Sequence, residues 1–151
     1  MSELPPVESF AAGLVAALEP AARRELAREI ARQLRQSQQK RIAAQLNPDG
    51  SAFEARKPQL RHQKGRLRRQ MFAKLRTSRF MKADASPEAA VVSFTPAAER
   101  IARVHQFGLR DKVNRKTGLE VTYPARQLLG LSPTDEALVG ELVTDFLADR
   151  L

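Results

Sequence analysis

The sequence predicts an α+β fold: N-terminal helices, central antiparallel hairpins and an amphipathic C-terminal helix. Three observations carry that reading. Apolar residues recur at helical spacing near both ends, two pairs of β-prone stretches flank turn residues in the middle, and Pro20, Thr95-Pro96 and Ser132-Pro133 fall where helical stretches begin. The 151 residues suit one domain over 1–151, with a basic arm or loop at about 52–65.

Val7 to Leu18 reads as a short helix. Pro20 opens a longer one, because proline at a first helical position gives up an N–H that has no partner there anyway. Leu26, Ile30, Leu34, Ile42 and Leu46 follow a four-residue step that Gln38 interrupts, and Arg24, Arg28, Arg32 and Arg35 line another face. Asn47-Pro48-Asp49-Gly50-Ser51 ends the helix with turn chemistry. Residues 52–64 lack periodicity and read as a loop or arm lying on something else. Leu67, Met71, Phe72 and Leu75 then predict one apolar face of a helix between Arg66 and Ser78.

Phe80 to Ala83 and Ala89 to Phe94 read as a hairpin around Asp84-Ala85-Ser86-Pro87. Thr95-Pro96 opens a helix whose buried side is expected from Ile101, Val104 and Phe107, with Gly108 stopping it. Lys112 to Tyr123, with Lys116-Thr117-Gly118 at its turn, suits a second hairpin. Ser132-Pro133-Thr134-Asp135 is a capping-box variant. It precedes a last helix with Leu138, Val139, Leu142, Val143, Phe146 and Leu147 on its apolar face.

Charge is segregated along the chain. The net charge is +9, yet residues 56–82 hold eleven bases and no acid, and residues 132–151 hold one base, Arg150, against five acids. Such a chain can meet a polyanion with its middle, or meet the acidic end of a neighbouring copy. The block has few aromatics for base stacking, only Phe72 and Phe80, both at core-type positions. Three readings remain, in descending order: a solvated or partner-facing surface, non-specific phosphate contact, and sequence-specific readout. Arg61, Lys64, Arg68 and Arg69 are the candidate assembly-facing or DNA-facing residues, lying in the arm or off the apolar stripe. Arg126 joins them, since beside Leu128, Leu129 and Leu131 it is expected to pair with an acid of its own chain or a neighbour.

Signals for an enzyme are missing. The absence of cysteine excludes a disulfide framework, thiolate zinc sites and a cysteine nucleophile, and fits a cytosolic origin. His62 and His105 have no partner at metal-ligand spacing; His105 reads as a packed or surface histidine at a helix C-terminus, where its charge is mildly favoured. No phosphate loop, nucleophile elbow or dinucleotide fingerprint occurs. Catalytic residues, cofactors, metals and small-molecule substrates are therefore expected to be none. The longest apolar run, Phe10 to Leu18, is too short for a bilayer crossing, which needs roughly 20 residues, and neither a signal peptide nor a membrane partner is expected.

Three stretches in order carry a resemblance. Gln39-Lys40-Arg41-Ile42-Ala43-Ala44-Gln45 running into Asn47-Pro48-Asp49-Gly50-Ser51, then His105-Gln106-Phe107-Gly108, then Tyr123-Pro124-Ala125-Arg126-Gln127-Leu128-Leu129-Gly130-Leu131-Ser132, resemble the bacteriophage virion morphogenesis family. This is also called the tail completion family of contractile-tailed phages and related prophages. The resemblance extends from about residue 20 to about residue 150; Phe53 stands where many relatives carry Trp. It implies a structural protein of the neck or head-proximal tail end, needed for tail completion and for joining filled heads. No catalytic residue follows from it.

The leading expectation is therefore a homo-oligomeric ring, hexamer or dodecamer, in the neck or tail of the virion, assembled in the host cytoplasm. Its partners would be other tail, neck or connector proteins, with possible non-specific contact to packaged DNA. The alternative is a small basic DNA-binding protein using residues 56–82.

Overall fold

The computed structural model describes residues 7–56, 70–113 and 116–150. Its elements are α1 (Val7–Ala16), α2 (Pro20–Ala43), β1 (Met81–Ala85), β2 (Ala90–Phe94), α3 (Pro96–Phe107), β3 (Arg110–Lys112), β4 (Glu120–Thr122) and α4 (Pro133–Ala148). Two antiparallel two-stranded sheets, β1–β2 and β3–β4, sit among four helices, so the class is α+β as the patterning indicates.

Helix α2 organises the rest. The β1–β2 hairpin lies against it, in a register that pairs Met81 with Phe94 and Ala85 with Ala90. α4 packs antiparallel to it: Asp135 at the start of α4 meets Ser37 and Gln38, and Arg150, just past its end, pairs with Glu25 at 2.9 Å. α1 contacts α4, and α3 contacts β2. The main core lies at the C-terminal half of α2. There Ile42, Phe53, Met81, Ala102 and Leu128 are buried together, with Met71, Phe72, Leu75, Val92, Phe94 and Leu129 packed against them.

Several elements match the reading of the sequence. The capping box at Ser132 is complete, with the Ser132 hydroxyl accepting from Asp135 N and the Asp135 carboxylate accepting from Ser132 N. The six apolar residues assigned to the last helix are the ones α4 turns inward, though all stay half-buried. Phe146 carries the Arg150 guanidinium 3.7 Å above its ring. Gly108 ends α3 in the left-handed region at φ 64°, and a Cβ there would lie 2.9 Å from Ala125 N, so both conformation and close approach require glycine.

Other expectations are corrected. Within the described part of 66–78 there is no helix: residues 71–80 form successive turns, with Phe72 at φ 65°. A bulky side chain in the left-handed region costs on the order of 1 kcal/mol or more. Its neighbour Met71 is tied to the end of α2, donating its N–H to Gln45 Oε1 and accepting from Gln45 Nε2, and the Phe72 ring packs on Phe53 and His105. Met71, Phe72 and Leu75 thus reach the core from a turn. Residues 66–69 of that expected helix lie outside the described residues.

The buried side of α3 is also different. Val104 is buried, but Ile101 is 48% and Phe107 64% exposed, and the residues that face inward with Val104 are Ala98 and Ala102. Alanines let α3 approach β2 closely, so the larger apolar residues are left outside. The first hairpin turns at Ser86 to Ala89, with Asp84 and Ala85 still in β1. Of the expected arm, residues 52–56 are anchored: Ala52 bridges to Leu46, and Phe53 is buried with its N–H on Gln45 O. Residues 57–65 lie outside the described residues.

Leu128→Ala should lower stability by about 2–5 kcal/mol, because the side chain is fully buried in the core, whereas Phe146→Ala, on a half-buried face, should cost distinctly less. Chemical denaturation of both variants checks the order; equal losses would place the α4 face in the core.

Candidate functional site

The end of α2 and the segment between β4 and α4 form the most densely specified part of the molecule. Residues 126–131 have no regular backbone pairing and still run against the core, so their peptide groups need side-chain partners. Gln106 supplies three bonds, accepting from Leu128 N and Leu129 N at 2.8 and 2.9 Å and donating to Leu129 O at 2.8 Å. Arg41 donates to Gln127 O, Leu128 O and Leu46 O at 2.8–2.9 Å, and Asn47 Oδ1 accepts from Gln127 N.

Gln38, which interrupts the apolar stripe of α2, is 3% exposed and completes the set. Its Oε1 accepts from Gly130 N and from Arg41 Nη2, while its Nε2 donates to Asp135. Asp135 also accepts from the Ser37 hydroxyl. Burial raises the carboxyl's pKa, but these hydrogen bonds outweigh it and hold the group below the ordinary carboxylate range, as an anion beside the Arg41 guanidinium. Gly130 sits directly on Pro48; a Cβ there would lie 2.5 Å from the proline ring.

Next to this hub lies an aromatic stack. The His105 ring is 4.9 Å from both the Phe72 and Tyr123 rings, edge to face, and its backbone O accepts from Arg126 N at 2.7 Å. Burial, then the nearby Arg126, lowers the His105 pKa, with Asp111 opposing. Burial thus disfavours the ring's charge, where a helix C-terminus was expected to favour it mildly.

Arg126 is buried at 5% exposure and donates to the backbone carbonyls of Glu54 and Ala55. It fastens the chain after Phe53; its hydrogen bonds go to carbonyls, and the acid beside it is Glu54 of the same chain, whose charge favours the guanidinium. Arg61, Lys64, Arg68 and Arg69 lie outside the described residues. From the basic block, Arg56, Lys74, Arg79 and Lys82 are exposed. Among the described residues no three His, Asp or Glu side chains gather as a metal site, and no helix is long and apolar enough to cross a membrane.

A groove of about 520 Å³ opens beside the stack, walled by Met71, Phe72, Val113, Leu119, Val121 and Tyr123, with Arg56 at its rim. Leu119 and Val113 are 59% and 50% exposed there. At the other end of α2, α1 leaves Phe10 61% exposed. Exposed apolar side chains of this size suit contact with other proteins.

Geometry and motif agree on the class, an assembly component: three stretches far apart in sequence meet in one hub, and large apolar side chains stand exposed at the surface. A model of the phage virion morphogenesis family matches residues 2–148, and the chain belongs to that family. It is 46% identical over 145 residues to the tail completion protein S of Escherichia phage P2, an alignment covering 95% of this chain and 96% of that protein. No solved structure matches the chain. The chain is accordingly a structural phage protein with a role in tail completion, working against other tail proteins as part of the virion.

Between the unfolded-state value near 6.5 and the lower folded value, the unfolded chain holds more protons at position 105, so stability should fall as the pH drops below about 6.5. His105→Phe keeps a ring in the stack and removes the titration, and its melting temperature should fall less than that of the wild type between about pH 7.5 and about pH 5.5. Parallel pH profiles would mean His105 titrates alike in both states.

Proposed function

We propose that this chain completes the tail at its head-proximal end or neck, as a single-domain subunit of a closed ring of six or twelve copies, and makes the tail competent to join a filled head. It acts without catalysis and without a cofactor, assembles in the host cytoplasm, and touches neck or connector proteins on one side and tail proteins on the other. The observation that carries this reading is family membership over nearly the whole chain, together with a relative of matching length named for tail completion. Charge segregation supports the ring. A chain with eleven bases and no acid in 56–82, and five acids against one base in 132–151, offers complementary faces for head-to-tail contacts, which close by rotation.

Electron microscopy of particles made without the protein tests this directly: unjoined heads and incomplete tails are expected, and normal infectious particles would end the proposal. A finer prediction concerns the basic block. Reversing Arg61, Lys64, Arg68 and Arg69 together to Glu should leave the circular dichroism of the isolated chain unchanged while impairing ring formation, head joining or DNA retention. Normal phage yield from that variant would make the block a solubilising face only. A free chain that binds duplex DNA with steep salt dependence would favour phosphate contact over protein contact as the block's task.

A further inference from the structure

The β1–β2 sheet has only two strands, so each keeps one free edge, and the two edges are not alike. The bonds from Thr95 N to Phe80 O and from Ser86 N to Ala89 O fix the phase of the ladder. With Met81 opposite Phe94, the peptide groups of β2 that turn toward β1 are those of Val91 and Ser93. The N–H and C=O groups of Ala90, Val92 and Phe94 turn the other way and find no partner among the described residues. They form a row of donors and acceptors at strand spacing, and the backbone of another extended strand is what matches such a row.

Edges of this kind are ordinarily guarded by charge, and the other described strands follow that rule: Lys82 and Asp84 in β1, Arg110, Asp111 and Lys112 in β3, and Glu120 in β4. β2 does not follow it. From Ala89 to Ala98 the chain holds no charged residue, although 28% of the sequence is charged, and no proline interrupts Ala90–Phe94. Val91 is 44% exposed, while Val92 and Phe94 on the other face pack against the core. A strand that joins this edge has to be extended, and free of charges that the contact would strip of water. Among the described strands β2 alone meets both conditions, so the occupant that fits is β2 of a second copy.

We propose that β2 pairs antiparallel with β2 of a second copy, across a two-fold axis at Val92, and joins two hairpins into one four-stranded sheet. Val92 then faces Val92 of the second copy and Ala90 faces its Phe94, and each of these pairs exchanges backbone hydrogen bonds in both directions. Between them Val91 stands opposite Ser93 of the second copy, and no like charges meet along the contact. The contact is isologous, so it makes pairs of copies. It goes beyond the ring reading: a ring of six or twelve can be built from such pairs, and the pair can exist without the ring.

Disulfide cross-linking of the full-length chain, which has no cysteine of its own, tests the register. Val91→Cys mixed with Ser93→Cys should give a covalent dimer holding one of each, because the two positions stand directly opposite. Either variant alone should cross-link at least roughly tenfold less, its cysteines standing on a diagonal about 7–8 Å apart. Hydrogen exchange of the wild type, read residue by residue across a concentration series, needs no substitution. The amides of Ala90, Val92 and Phe94 should gain protection as association proceeds, while those of Val91 and Ser93 are protected throughout. Val91→Lys, on the exposed face, should keep its circular dichroism and need at least roughly tenfold higher concentration to pair. A wild type that stays monomeric at every concentration, with those three amides always exchanging fast, would overturn the pair and leave the edge to a strand of another protein. An oligomer in which V91C and S93C fail to cross-link and the protection does not alternate would also overturn it, and would leave the ring standing on some other contact.

Discussion

The stretch 126–130 has to run against the core, with Arg126 and Leu128 buried, without forming a helix or strand, and the arrangement of the other elements follows from how its peptide groups are satisfied. An unpaired buried peptide group costs about 1–3 kcal/mol, so a segment of this length cannot be covered by apolar packing alone. Four side chains from three places supply the bonds: Gln38 and Arg41 on α2, Asn47 in the turn after it, and Gln106 near the end of α3. Each bond fixes a distance between elements far apart in sequence. Together they set where α3 ends against α2 and where α4 begins, and the Ser132–Asp135 capping box starts α4 at that spot.

These bonds join the three separated stretches that carry the resemblance to the family. Gln39 to Ser51, His105 to Gly108 and Tyr123 to Ser132 look like ordinary turns and caps taken singly. In space they are the two sides of one set of hydrogen bonds: Arg41 and Asn47 reach Gln127, Gln106 reaches Leu128 and Leu129, and Pro48 lies on Gly130. Arg41, Asn47 and Gln106 are required by their bonds, and the two glycines, Gly108 and Gly130, stand where a Cβ would strike the opposite side.

Most helices and both hairpins were legible because their signals are local: proline at first helical positions, the capping box, glycine at a helix end, and turn residues between β-prone stretches. What periodicity misassigned is non-local. Gln38 looked like an interruption in an apolar stripe, but its amide is what Gly130, Arg41 and Asp135 require, and nothing adjacent in sequence announces them. Met71, Phe72 and Leu75 have helical spacing, yet Gln45 holds Met71 on both its N–H and its carbonyl, and Phe72 takes a left-handed conformation so that its ring can join Phe53 and His105. Arg126 was expected to pair with an acid, and it has Glu54 near it, but its hydrogen bonds go to the Glu54 and Ala55 carbonyls, a distinction that residue type alone does not carry.

The remaining misassignments share a direction. Ile101, Phe107 and Leu131 look like core residues by spacing and stand exposed, while alanines at 98 and 102 and the aliphatic Leu128 do the burying. Apolar periodicity reports which face of an element avoids water. In an assembly protein that face is covered either by the same chain or by another, and the pattern is identical in the two cases. The difference lies in the face: α3 meets β2 through Ala98 and Ala102, while Phe107 stands on the opposite side of the helix and Ile101 at the edge of the contact. Large apolar side chains that the chain's own packing leaves outside are therefore its internal sign of a partner, and Ile101 and Phe107 stand close to the hydrogen-bonded hub through Gln106.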